Sequence, residues 1–220
     1  MALILYLTKA PRYQNIITGE YETIPFSDLV LIDKYYFWSM LRAEGKTDAL
    51  ALEEWCGIPE NKLPHKYVVN YYRAFFTKKH FHKEYDGDIE GFSIFAQAAR
   101  IVKANQIFRW FIENVMNGNP DREHYEVTEH QLADLLSTCR RVQHDFRLVS
   151  NDEYYGKQFS VDELVAKQHL PLMEETCYFF ETNQYDTVYA TNVIKTLEVI
   201  KHILDTTDFE KEVIYFNATW

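Results

Sequence analysis

Apolar residues recur at helical spacing along several stretches of the chain, and the longest of these runs from Ile94 to Val115. Spacings of three and four residues place such a stripe on one helix face, where it packs against a core. A second apolar stripe lies beside the first, so the pattern predicts a central helix over 94–115 that is contacted on two sides. Asn105 falls within the first stripe. Because an unsatisfied buried amide costs roughly 1–3 kcal/mol, we expect its side chain to have hydrogen-bond partners.

Shorter patterns predict the other elements, and Thr128 to Gln131 has the T-x-x-Q form of a capping box at a helix start. Few strands among several helices indicate an α+β fold. We expect a small mixed or antiparallel sheet that includes the N- and C-terminal strands and is covered by helices around the central helix 94–115. The predicted elements are strands at 2–8, 125–127, 176–181 and 213–219, and helices at 27–42, 48–55, 67–77, 128–142, 160–169 and 185–204.

A chain of 220 residues, of which 47% are hydrophobic, can bury a substantial core. This length suits a single domain over 1–220, in which the helical segment 27–90 is a candidate sub-lobe. Seven glycines form neither GxGxxG nor GxxxxGK[ST], so the common phosphate-binding loops are absent from the sequence. We therefore expect neither a cofactor nor a nucleotide enzyme of the usual types.

The net charge of −10 is concentrated in the second half of the chain. Residues 1–90 carry 11 basic against 13 acidic residues, and residues 91–220 carry 12 against 20. An acidic surface repels a phosphate backbone, which makes nucleic acid an unfavoured partner. The one basic run interleaved with aromatics, at 73–83, could contact a nucleotide, although aromatics at helical spacing more often belong to a core.

The three cysteines are odd in number and form no CxxC pair, which is typical of free thiols in a reducing compartment. Cys139 lies on an apolar helix face and is interpreted as a core thiol. The opening residues lack the basic segment and cleavage pattern of a signal peptide, and no apolar run approaches the length of a membrane span. These features favour a cytoplasmic protein with no membrane partner.

Two groups of polar residues have the composition of a chemical site. Residues 80–88 place a histidine or an acid at every second position, so an extended segment would project all five to one side. This spacing makes His80, His82, Asp86 and Asp88, with Glu84 among them, candidates for a metal site, but it matches neither an EF-hand nor HExxH. A solvated loop over 78–90 is the simpler interpretation.

The second group consists of His124, His130 and His144, any of which could serve as a base near neutral pH. The sequence offers no Ser or Cys nucleophile in a recognisable elbow to accompany them. Surface histidines are therefore the simpler interpretation, and we expect no catalytic residues.

The central segment KANQIFRWFIENV, which continues to YEVTEHQLADLL, resembles a family of small, functionally uncharacterised proteins of tailed bacteriophages and prophages. That family opens with MGLDMYL, carries YWRKANxIHxWFVENV and later has LP followed by GFFFGS and a tyrosine. The corresponding pieces of this chain are Leu3–Leu7, Lys103–Val115, Tyr125–Val142, Leu170-Pro171, Tyr178–Phe180, Tyr185 and Trp220.

This chain departs from the family pattern at several polar positions. Arg100-Ile101-Val102 replaces Tyr-Trp-Arg, Phe108 replaces the histidine, and Cys177 and Glu181-Thr182 replace the glycines and serine around the FFF segment. The resemblance implies a phage origin and action in the host cytoplasm. It implies little chemistry, because the polar site is thinned out.

Two hypotheses about function follow. In the first, the protein is a phage accessory protein that binds a host or defence protein. In the second, it binds or processes a small molecule or nucleotide in a pocket near Lys103 and Asn105, which a deep pocket containing both side chains would distinguish. The candidate ligand-binding residues are Lys103, Asn105, Arg109, Trp110, Tyr178 and Tyr185.

Overall fold

The structure, a computed structural model, describes residues 3–15, 17–43, 82–86, 89–152, 156–173 and 184–220. Within these residues the chain forms five helices and ten strands. The helices are α1 (Phe26–Ala43), α2 (Asn105–Asn114), α3 (Glu129–Gln143), α4 (Glu163–His169) and α5 (Thr187–Thr206). The strands are β1 (Ile4–Pro11), β2 (Tyr13–Gln14), β3 (Tyr21–Glu22), β4 (His82–Asp86), β5 (Ile89–Ser93), β6 (Ala96–Val102), β7 (Tyr125–Val127), β8 (Arg147–Asp152), β9 (Gly156–Ser160) and β10 (Glu212–Thr219).

Four strands form the main antiparallel sheet, in the order β6, β1, β10, β7. The two central strands are therefore those nearest the ends of the chain, and the predicted α+β fold with a small sheet that includes them is confirmed. Strand β10 has four successive buried residues, Val213 to Phe216, as expected of a strand that is covered on both faces. Three two-stranded sheets, β2–β3, β4–β5 and β8–β9, complete the described strands.

Helix α2 is the most buried helix of this core, with seven of its ten residues buried. The ring of Phe111 stacks on Phe216 of β10 with centroids 3.9 Å apart and planes within 5° of parallel. Offset or stacked aromatic pairs contribute beyond their buried area. This contact therefore fixes α2 against the centre of the sheet.

The central helix is shorter than the predicted span of 94–115. Its first half forms strand β6, and the Lys103 N–H at the end of that strand donates to the Leu3 carbonyl at 2.9 Å. The segment fits a strand as well as a helix, because Ala99 and Ile101 are buried while Arg100 is exposed. Hydrogen bonding to a neighbouring strand then overrides a weak helical preference.

Two further predictions need correction. Residues 78–90 were predicted as a loop, but 82–86 pair with 89–93 in a hairpin whose register joins His82 to Ser93. The hairpin β8–β9 is also absent from the predicted elements, because its sequence, largely polar, shows little apolar alternation. The helices predicted at 48–55 and 67–77 and the strand at 176–181 lie outside the described residues.

The capping box at the start of α3 is confirmed. The Gln131 N–H donates to the Thr128 Oγ1 at 3.2 Å, and the Thr128 N–H donates to the Gln131 Oε1 at 2.9 Å. These reciprocal bonds satisfy two donors that a helix start leaves without partners. The helix then buries its predicted apolar face, including Leu132, Leu135 and Cys139.

The chain divides into two compact units, of which one comprises Met1–Thr8, Gln97–Phe209 and Ile214–Trp220, and the other Lys9–Ala96 and Glu210–Val213. In the second unit, the Ile94 N–H donates to the Asp33 Oδ1 at 2.7 Å, and the Phe26 ring lies 5.3 Å from that of Phe95. The core around α2 belongs to the first unit. The predicted ligand-binding residues that the structure describes also belong to the first unit.

Replacing Phe111 with alanine should lower the free energy of unfolding by about 3–5 kcal/mol, because it removes a fully buried ring from its stack on Phe216. Phe111→Leu keeps most of the apolar volume and should cost less. Urea denaturation of both variants measures the two losses. A loss below about 1 kcal/mol for the alanine variant would contradict the packing described here.

Candidate functional site

The turn between β6 and α2 contains Lys103, the first of the predicted ligand-binding residues. Its backbone φ of 60° is in the left-handed region, which few residues other than glycine adopt. The turn is held on both sides, because its N–H donates to Leu3 and its carbonyl accepts from the Asn192 Nδ2 at 3.0 Å. The bonded backbone of Lys103 therefore joins strand β6 to helix α2.

Asn105 is buried at the start of α2, as predicted. Its Oδ1 accepts a hydrogen bond from the backbone N–H of Met173 at 2.7 Å. The amide thus meets the requirement that a buried polar side chain be bonded. Its described partner is the backbone of the segment that follows α4.

Arg109, one turn further along α2, reaches the same segment. Its Nη1 donates to the Leu172 carbonyl at 2.7 Å, while its Nε pairs with the Glu113 carboxylate at 2.8 Å. The second contact is the i, i+4 pair that the sequence spacing permits. Because the Nη1 and Nε groups are both bonded within the protein, the Arg109 guanidinium is held in place by the fold.

Two tyrosines near the start of α5 complete this arrangement. The Tyr185 Oη accepts from the Leu172 N–H at 3.1 Å, and the Tyr189 Oη donates to the Leu170 carbonyl at 2.8 Å. Burial raises the pKa of Tyr189, since the charged phenolate would be desolvated. Tyr189 therefore remains a hydrogen-bond donor throughout the physiological range.

These contacts define what we call the segment clamp: the side chains of Asn105, Arg109, Tyr185 and Tyr189, bonded to the backbone of residues 170–173. Three of the six predicted ligand-binding residues belong to it. Beyond the Leu170 N–H, which donates to the Ala166 carbonyl at the end of α4, buried backbone groups of a segment outside helices and strands need partners from elsewhere. Leu170 and Leu172 are both buried, so the clamp supplies those partners.

The remaining predicted residues do not join the clamp. Trp110 is buried in the core, where its ring meets that of Phe111 edge-on at 5.3 Å. Phe108, at the position of the family's histidine, is buried with its ring 5.4 Å from Trp220. Tyr178 lies outside the described residues, as do His80 and Asp88 of the metal candidates.

Gln106, which is not among the predicted residues, is fully buried next to Asn105. Its Nε2 donates to the Tyr189 carbonyl at 3.3 Å, while its Oε1 is buried without a hydrogen-bond partner. Asn192, buried on α5, was also missed. The signal for it resembles that for Asn105, because an amide falls within an apolar stripe at helical spacing.

The histidines and Cys139 have simple surroundings. His130 and His144 are exposed and lie 3.4 Å from Asp134 and Asp145 respectively. Burial lowers the pKa of His124, and Glu123 opposes this shift by its charge. Burial raises the pKa of Cys139 to about 12, so its thiol stays protonated and unreactive.

Two cavities of the described residues lie elsewhere. One of about 470 Å³ is lined by His144, Asp145, Arg147, Ser160, Val161 and Asp162. The other, of about 460 Å³, is lined by Lys157, Phe159, Thr191, Ile194, Lys195 and Glu198. Neither is lined by Lys103 or Asn105. The pocket that the second hypothesis requires at those residues stays a prediction.

In the part of the chain that the structure describes, no three His, Cys, Asp or Glu residues are grouped so that they could hold a metal ion. In the same residues, no helix has the length and apolarity needed to cross a membrane. Positions 82, 84 and 86 are every second residue of strand β4, which is the spacing that the metal hypothesis assumes for an extended segment.

Comparison with protein-family models, with curated proteins and with solved structures gives no match to this chain.

The clamp makes separate predictions for two backbone amides. Asn105→Ala removes the acceptor of the Met173 N–H, and Tyr185→Phe removes that of the Leu172 N–H. Each substitution should accelerate hydrogen exchange most at its own amide, by about fivefold, since a net hydrogen bond is worth about 1 kcal/mol, and should also accelerate it at the other amide, because both bonds order one segment. NMR exchange rates test this. Unchanged rates at both amides would show that the clamp does not order the segment.

The Cys139 thiol should make stability depend on alkaline pH. Its pKa is raised on folding, so its contribution is complete below the ordinary value of 9.0 and is lost as the pH rises toward about 12. In this range the loss approaches about 1.4 kcal/mol per pH unit. Cys139→Val lacks the titrating group, so its unfolding free energy should fall less steeply above pH 9. Equal slopes in urea titrations would contradict the assignment.

Proposed function

We propose that the protein is a phage accessory protein that acts in the host cytoplasm by binding a host or defence protein. The support from the site is that three of its predicted ligand-binding side chains are engaged with the protein's own backbone. Asn105, Arg109 and Tyr185 all bond to residues 172–173. Side chains with such partners stabilise a fold, and a binding function then requires a different surface.

The observation that carries the proposal is the exposure of Leu164, whose side chain is 81% accessible in the first turn of α4. The turn is held in place by Asp162, whose Oδ1 accepts from the Leu164 N–H at 3.0 Å and the Val165 N–H at 3.3 Å. An exposed apolar side chain on an ordered backbone loses little entropy when a partner covers it. Burying a leucine in this way contributes about 1.5–3 kcal/mol.

Val188 repeats this arrangement at the start of α5. It is 43% accessible, and the Asp186 Oδ1 accepts from its N–H at 2.9 Å. Both helices therefore begin with an aspartate cap, followed two residues later by an exposed apolar side chain. Single exposed apolar residues are common on protein surfaces. Two that share this capped geometry are candidate anchors for a protein partner.

The proposal is tested by capture from infected cells. A tagged chain should retain a specific host or phage-defence protein, identified by mass spectrometry, and Leu164→Asp should reduce its recovery by about tenfold or more, as truncation of an anchor residue does. An acid in the first turn of a helix is favourable to the helix dipole, so this variant should fold normally. Val188→Asp tests the second anchor.

Gln168→Asp is the matched control, because it adds the same charge at an exposed position of the same helix. It should leave recovery unchanged. Two results would contradict the proposal. One is a captured protein whose recovery falls as much with Gln168→Asp as with Leu164→Asp. The other is stoichiometric co-purification of a nucleotide that is lost in Asn105→Ala, which would favour the alternative of a ligand pocket near Lys103 and Asn105.

A further inference from the structure

The hairpin β8–β9 has one covered edge. The Phe159 N–H donates to the Thr187 Oγ1 at 3.0 Å, and that hydroxyl donates to the Phe159 carbonyl at 3.2 Å. Both backbone groups of Phe159 therefore point away from β8 and toward the start of α5. The outer edge of β9 is protected at this position by a side chain of the same unit.

The register then determines which groups of β8 point outward. Phe159 pairs with Leu148, and since Phe159 turns its backbone groups away, this is a non-hydrogen-bonded pair of an antiparallel ladder. The N–H and C=O of Leu148 consequently point outward on the opposite edge. The two kinds of pair alternate along β9, so the pair Asn151–Lys157 is also non-hydrogen-bonded, and Asn151 presents its backbone groups on that same edge.

The outer edge of β8 is also apolar at its centre. Between Leu148 and Ser150 the register shifts by one residue, which inserts Val149 as a β-bulge. Leu148 is 57% accessible and Val149 is 66% accessible. No hydrogen bond of the described residues engages the outward groups of Leu148 or Asn151. An exposed apolar edge with unpaired backbone groups is a template for a further strand.

We propose that this edge pairs with the same edge of a second copy of the chain, as an antiparallel β8–β8 contact across a two-fold axis. Each outward pair of groups must meet another outward pair. The register that achieves this places Leu148 opposite Asn151 of the second copy, and Asn151 opposite its Leu148. It also brings the two exposed Leu148–Val149 pairs to the centre of the contact.

Charge favours a second copy as the occupant of this edge. In the register set by the backbone groups, position 147 faces position 152 of the other copy, and these positions carry arginine and aspartate. The two-fold axis repeats this opposition at both ends of the strand, as an isologous interface requires. A parallel arrangement in register would instead place like charges together. The strand RLVSND is thus complementary to itself in one orientation.

Sedimentation velocity of the full chain tests the proposal. The wild type should dimerise, with a dissociation constant at the weak end of protein association, on the order of 10 µM to 1 mM for so small a contact. Arg147→Asp and Asp152→Arg each oppose like charges at both ends, and each should weaken dimerisation about tenfold or more. The double variant Arg147→Asp/Asp152→Arg exchanges the charges and should restore it.

A backbone variant provides an independent test. Asn151→Pro removes an outward N–H and should abolish the dimer, whereas Lys157→Pro removes an outward N–H on the opposite edge of the hairpin and should leave it unchanged. Circular dichroism verifies that each variant is folded. The proposal is overturned if the wild type is monomeric up to about 1 mM, or if the charge exchange fails to restore a dimer that the single variants lose. It needs no host factor, so it stands or falls separately from the proposed function.

Discussion

The constraint on which the first unit depends is the burial of α2 with its polar residues. A helix with seven of ten residues buried leaves little room for unbonded polar groups, yet α2 begins with Asn105 and Gln106. Water cannot hydrogen-bond a buried amide, so the protein must. The segment 170–173, which lies outside the helices and strands, meets this need for Asn105 through the Met173 N–H, and the Tyr189 carbonyl accepts from the Gln106 Nε2. Each part supplies bonds that the other requires.

This mutual dependence connects elements that are distant in the sequence. Helix α2 stacks on the central strand β10 through Phe111 and Phe216, and it is bonded to the segment after α4 through Asn105 and Arg109. Tyr189 of helix α5 and Tyr185, which precedes that helix, bond the same segment. The residues that most resemble a ligand site are therefore those that hold the core together. Among the described residues of this unit, the exposed large apolar side chains lie instead at the capped starts of α4 and α5 and on strand β8.

Much of the fold could be predicted from the sequence, and the failures have physical causes. The terminal strands, the capping box of Thr128 and the burial of Asn105 each follow from a local pattern. The helix prediction for 94–102 was wrong because the apolar spacing there suits both a helix and a strand. Only the pairing of this segment with β1 decides between them. The hairpin β8–β9 was not predicted because its two strands have a largely polar, exposed sequence.

The candidate site illustrates a different limit. Asn105, Arg109 and Tyr185 are three of the six predicted ligand-binding residues, and all three bond the backbone of residues 172–173. Their role was beyond prediction, because the partner is the backbone of residues 170–173, which has no side-chain signature. Gln106 and Asn192 were missed because the apolar residues at helical spacing around them dominate the pattern. A single amide within such a stripe is easily overlooked.

The central claim is that these side chains act together on one segment of the protein's own backbone. A double-mutant cycle of Asn105→Ala and Tyr185→Phe, measured as free energies of unfolding, tests it most directly. The account predicts a coupling of about 0.5–3 kcal/mol, because release of the segment by one substitution removes part of what the other can lose. Losses that add within about 0.3 kcal/mol would contradict it, since they would show that the two side chains act independently.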